Sequence, residues 1–134
     1  HYSAGNMQDQ QREAAAQGVV WLSVLSSAPG KQGHVSPRQA DELTRSRDAA
    51  PQAVVLDPES TIGRAYGAKT TPHMYIIDPA GTLVYMGGID SIPSSNPGDI
   101  PQATQYVRLA LQELAAGKSV STPVTRPYGC SVKY

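Results

Sequence analysis

The chain has 134 residues, 40% of them hydrophobic and 16% charged, the composition of an ordinary globular domain rather than of a disordered segment. Its length fits one domain, able to bury roughly two-thirds of the surface its unfolded chain exposes. Eleven basic and eleven acidic residues cancel, and neither sign forms a long block, which argues against a nucleic-acid footprint and a basic membrane-surface helix.

The first stretch, Ser3 to Gln17, is polar, with Met7, Ala14 and Ala15 spaced for one helical face and Gly18 as its stop. It has no clear N-terminal cap, as though a helix were entered part-way. Val19 to Leu25 is then an apolar run interrupted by Ser23. It is far too short to span a bilayer and suits a strand buried on both faces of a parallel sheet. After a loop rich in Ser, Gly and Pro, Ser36-Pro37 with Gln39 three residues after the serine predicts a helix start with a capping box.

Ala53–Leu56 reads as a second strand, ended by Asp57-Pro58. The aspartate is placed to cap a short helix beginning at Pro58, with Ile62, Ala65 and Tyr66 on one face and Gly67 as its stop. His73–Asp78 and Thr82–Met86, joined by Pro79-Ala80-Gly81, predict a β-hairpin. The clearest helical pattern comes last. Ala103, Tyr106, Val107, Ala110, Leu111 and Leu114 form one stripe, with Asp99 and Gln102 as its capping box and Gly117 as its stop. Residues 118–134, with Pro123 and Pro127, show no period and read as an irregular tail. Alternation first, with a hairpin and a helix afterwards, predicts an α/β sandwich with a mixed sheet.

Several segments carry a resemblance. They are Gly18-Val19-Val20-Trp21-Leu22-Ser23-Val24, Val55-Leu56-Asp57-Pro58, the block from Tyr66 through Thr71-Pro72 to Asp78, and Gly81-Thr82-Leu83-Val84-Tyr85. With the ending Arg126-Pro127-Tyr128-Gly129-Cys130-Ser131, they resemble the peroxiredoxin-like redoxins of the alkyl hydroperoxide reductase and thiol-specific antioxidant type, bacterial members of the thioredoxin-fold superfamily. The resemblance implies a thioredoxin-like three-layer sandwich over residues 1–117, with the central N-terminal strand and the catalytic Cys-Pro loop missing from this chain. The expected sheet places Ala53–Leu56 at one edge, then Val19–Leu25, an empty or substituted central position, Met74–Asp78 and Leu83–Met86.

It implies further that Thr71-Pro72 is a cis-proline loop facing the catalytic thiol and taking part in substrate binding. Cys130, the one cysteine, becomes a candidate resolving thiol that condenses with an oxidised catalytic cysteine; the plainer reading is a free thiol in an exposed tail. His1, His34 and His73 have no metal-ligand spacing, and no metal or cofactor is expected. The implied activity is that of a thiol-dependent oxidoreductase acting on a peroxide or a disulfide, with a thioredoxin-type protein as reductant and a homo-oligomer as one option. A disulfide reductase, a copper-site assembly factor and a non-catalytic peptide-binding module of the same fold are the alternatives. A periplasmic or secreted setting is favoured over a cytoplasmic one.

Overall fold

The structure, a computed structural model, describes residues 1–134. It is a mixed α/β protein with four α-helices, one 3-10 helix and three two-stranded ladders. None of its helices is long and apolar enough to cross a membrane. The chain divides into two compact units, His1–Ala68 with Val132–Tyr134, and Lys69–Ser131.

In the first unit, helix α1 (Asn6–Ala16) packs through a face that the apolar spacing did not show. Met7 and Ala14 are buried as expected, but Ala15 is exposed and the rest of the buried face is amide: Asn6, Gln8, Gln10 and Gln11. Those amides bond to polar groups that would otherwise be stranded. Gln8 donates to the carbonyls of Tyr2 and Arg47, and the Gln11 side-chain oxygen accepts from the Ala50 amide at 2.7 Å. Arg12 adds an ion pair to Asp48 at 2.7 Å.

Strand β1 (Leu22–Leu25) pairs in parallel with β2 (Ala53–Leu56) and with no other strand. The sequence suggested burial on both faces; instead Val20, Leu22 and Val24 are 60%, 54% and 40% exposed. Leu22 and Val24 alternate along the strand and share one face of the pleat, and Val20 lies just before it. That face is open. Helix α2 (Pro37–Ser46) has the expected capping box, with Ser36 accepting from the Gln39 amide and Gln39 accepting from the Ser36 amide.

Helix α3 (Thr61–Ala65) starts three residues later than the Asp57-Pro58 step suggested. Pro58 and Glu59 form a turn instead, and Ser60 takes a left-handed conformation before the helix. Asp57 still serves the helix, from a distance: its carboxylate accepts from the Gly63 amide at 2.9 Å and the Ser26 hydroxyl at 2.8 Å. The last residue closes this unit. Tyr134 donates to the Ala68 carbonyl at 2.5 Å, and the Arg64 guanidinium sits 4.5 Å from its ring centroid.

In the second unit, β4 (Met74–Ile77) and β5 (Leu83–Gly87) form the expected antiparallel hairpin. Asp78 organises its turn by accepting from the amides of Ala80 and Thr82. The final helix is shorter than its apolar stripe. Pro97–Gln102 is a 3-10 helix capped by Asn96, and helix α4 runs only over Tyr106–Ala115. Two causes break the continuity at residues 103–105. Pro101 has no amide to continue an α-helical ladder, and Thr104 is tied to Ser91 by two hydrogen bonds that hold the chain extended. Ile76, Tyr85, Ile89, Val107 and Ala110 form the buried core of this unit.

The tail has little repeating structure, yet it is bonded along its length rather than loose. Met86 donates to the Pro123 carbonyl, and Thr125 donates to the Met86 carbonyl, so the tail adds a parallel bridge to the outer edge of β5. Gly87 makes that approach possible, since a Cβ there would collide with Thr125. Beyond it, Cys130–Ser131 is a short strand, β6.

Candidate functional site

All three residues singled out from the sequence fall in one place. Thr70–Thr71 forms a two-residue strand, β3, and β6 pairs with it antiparallel, Thr70 opposite Ser131 and Thr71 opposite Cys130. The Thr71–Pro72 peptide bond is cis. The only thiol of the chain, free and exposed, therefore lies directly across a backbone ladder from the residue before the proline.

Local chemistry fixes each partner. Thr70 donates its hydroxyl to the Pro72 carbonyl at 2.9 Å, which braces the loop across the proline. His73 follows; its Nδ1 accepts from the Lys69 amide at 3.2 Å, so the ring proton sits on Nε2. Its ring stacks on Tyr75 with centroids 4.6 Å apart. Partial burial, aided by the positive charge of Lys69, lowers the His73 pKa and favours the neutral ring.

On the tail side, Gly129 takes a φ of +134°, and a Cβ there would run into the Thr71 carbonyl. Both constraints demand glycine. One step earlier, the Tyr128 hydroxyl donates to Asp90 at 2.6 Å, and Asp90 is only 3% exposed. Burial first, and then the bond to the negative Asp90, push the Tyr128 hydroxyl well above its usual pKa, so it stays a donor. Thr125 accepts from the Gly88 amide at 2.9 Å and shares a 2.7 Å hydrogen bond with the buried Tyr85 hydroxyl. Cys130 thus lies in a segment held by a chain of named contacts.

The histidines stand apart from one another in their contacts. His1 bonds to Asn6, His34 to the Ser27 carbonyl and His73 to Lys69. No group of three or more His, Cys, Asp or Glu side chains is arranged to hold a metal ion.

Sequence reasoning found Thr71, Pro72 and Cys130 one at a time but not their pairing. The signal was Gly129: an isolated glycine before Cys-Ser-Val marks a strand that another backbone approaches closely. Asp90 and Thr125, which anchor the tail, gave no signal of their own, because both lie in stretches without a period.

The fold is shared with solved structures. An uncharacterized conserved protein from Geobacillus kaustophilus superimposes with a TM-score of 0.85 over 99% of this chain and 69% of its own, at 24% identity. A hypothetical protein from Sinorhizobium meliloti 1021 gives 0.82 over 98% of this chain and 70% of its own, at 22% identity. No protein-family model and no curated protein matches the chain.

Proposed function

We propose that these residues are the greater part of a thioredoxin-like domain of the peroxiredoxin type, and that the protein carrying them is a thiol-dependent oxidoreductase. The observation that carries this reading is the register placing Cys130 opposite Thr71, beside the cis Thr71–Pro72 bond. It is supported by the antiparallel hairpin that follows the proline at once and by the parallel pair β1–β2.

Peroxide reduction is the form of the activity we favour. A thiolate attacks the peroxide, forming an S–O bond and breaking the O–O bond; the thiol becomes a sulfenic acid and the leaving oxygen departs as an alcohol or water. The Cys130 thiol then attacks the sulfenic sulfur, an S–S bond forms and water leaves. A dithiol reductant restores both thiols by exchange. Cys130 is the one cysteine of the 134 residues, so in this reading the peroxide-reactive thiolate is contributed by sequence outside them. Held by the tail contacts, Cys130 is positioned rather than free to wander, and positioning supplies much of a catalytic rate.

The test is peroxide consumption by the protein with its upstream sequence, driven by a dithiol reductant. Cys130→Ser should slow steady-state turnover while leaving the first, single-turnover reaction with peroxide unchanged. Unchanged steady-state turnover in that variant would remove Cys130 from the mechanism. The 134-residue chain alone should consume peroxide no faster than a free thiol; efficient turnover there would refute the placement of the reactive thiolate.

A further inference from the structure

A strand edge is where an extended polypeptide docks, because unpaired amides and carbonyls offer it a ladder. The Thr70–Thr71 edge is already filled, by residues of the same chain. The Thr71 carbonyl faces Gly129 so closely that no side chain fits between them, and the Pro72 ring lies 3.5 Å from the same point. The occupant cannot drift off, because the tail is anchored just before it by the Tyr128–Asp90 bond and further back by the two backbone bonds to Met86. Tethering turns its pairing into an intramolecular event with a high effective concentration. A free peptide offering the same two-residue ladder meets that competition at every encounter.

We infer that Gly129–Ser131 is a built-in strand ligand that closes the Thr71–Pro72 site to extended polypeptides. The site then receives only solutes that need no strand edge, and Gly129 is the residue that sets this selectivity. As a statement about substrates, this rests on the reading of Thr71–Pro72 as the substrate end of a thiol oxidoreductase. As a statement about strand occupancy, it does not.

The experiment uses the full-length protein and a fluorescein-labelled heptapeptide with the sequence of residues 128–134, carrying serine in place of Cys130 so that no disulfide forms. Fluorescence anisotropy reads binding to the unaltered protein, to Gly129→Val and to Ser131→Pro. The valine can neither hold the backbone of position 129 nor avoid the Thr71 carbonyl; the proline fixes φ at position 131 and crowds the residue before it, disturbing the short strand while leaving Gly129 in place. Either folded variant serves if the other fails to fold. The inference expects no binding to the unaltered protein and binding at least about tenfold tighter to a variant, the advantage of a vacated edge over a tethered competitor. Binding of equal strength to all three overturns it, because the edge would then be open in the unaltered protein. Absence of binding to every folded variant also overturns it, because the edge would then have no capacity for a peptide. Neither result depends on peroxide turnover, so failure of the redox reading shows separately in the Cys130→Ser assay.

Discussion

The two principal strand pairs treat their outer edges differently. In the second unit, β5 has β4 on one side and receives the tail on the other, with Gly87 shaped for the approach and Tyr85 bonded to Thr125 beneath it. In the first unit, β1 has β2 on one side only and leaves Val20, Leu22 and Val24 exposed. Both strands are short and apolar, so composition does not separate them. What separates them is whether another segment brings backbone groups to the edge and side chains over the face. The closed edge should carry stability; the open one should carry liability.

The largest expected effect is therefore at Tyr85. It is 1% exposed and donates its hydroxyl to the Gly88 carbonyl at 2.5 Å. Tyr85→Ala should cost about 3–5 kcal/mol, as for other buried aromatic truncations, read from denaturant unfolding. Tyr85→Phe keeps the ring and removes the hydroxyl, leaving the Gly88 carbonyl unpaired on that side, for roughly 1–3 kcal/mol. A cost below about 1 kcal/mol for Tyr85→Ala would mean that the tail contact is not part of the folding core.

Next in size is Asp57, in the first unit. It is 5% exposed, and burial alone would raise its pKa. The bond from the Gly63 amide, that from the Ser26 hydroxyl and those from the Ile62 and Thr61 amides outweigh burial and hold it below the ordinary 3.8. Asp57→Ala strands those donors and should cost about 1–3 kcal/mol. The sign of the pH effect follows from the lowered value. Above 3.8 the carboxylate is ionised whether the chain is folded or not, and its stabilisation is complete. As pH falls through 3.8 toward the folded value, the unfolded chain takes up the proton first and stability is lost. Asp57→Asn should flatten the unfolding midpoint against pH in that window; an unchanged slope would assign the acid sensitivity to other groups.

These two sites show what the sequence could and could not reveal. Asp57 was legible as a helix-associated aspartate, and Ser36 with Gln39 as a capping box, because caps are local and obey fixed spacing. The hairpin around Asp78 and the strand Ala53–Leu56 were legible for the same reason. Three features were not. The buried amides of α1 look like a solvated face until the carbonyls they meet are placed, and those partners lie as far as 39 residues away, at Arg47 and Ala50. The break between the 3-10 helix and α4 depends on Ser91 reaching Thr104, a pairing that no periodicity encodes. The ladder between Thr71 and Cys130 joins residues from opposite ends of the second unit, so each was a candidate alone while the site they form was not.

The smallest expected change in stability belongs to the open face of β1, where it is accompanied by a change of another kind. Leu22 and Val24 make limited contact, so Leu22→Thr, which puts a β-branched side chain suited to a strand in place of leucine, should shift unfolding by no more than about 0.5 kcal/mol. The same substitution removes apolar area from an exposed strand that has one partner. Such a strand invites pairing with a second chain, because a free ladder and an apolar face act together. Light scattering against concentration should accordingly show the 134-residue chain associating and the Leu22→Thr, Val24→Thr double variant associating less. Because charge also discourages edge pairing, Leu22→Lys should suppress association further at a comparable cost in stability. Should either variant lose more than about 1 kcal/mol, Leu22 would have to be covered by a partner in solution. The contrast with the tail-sealed β5 would then be between two closed edges, one closed within the chain and the other between chains.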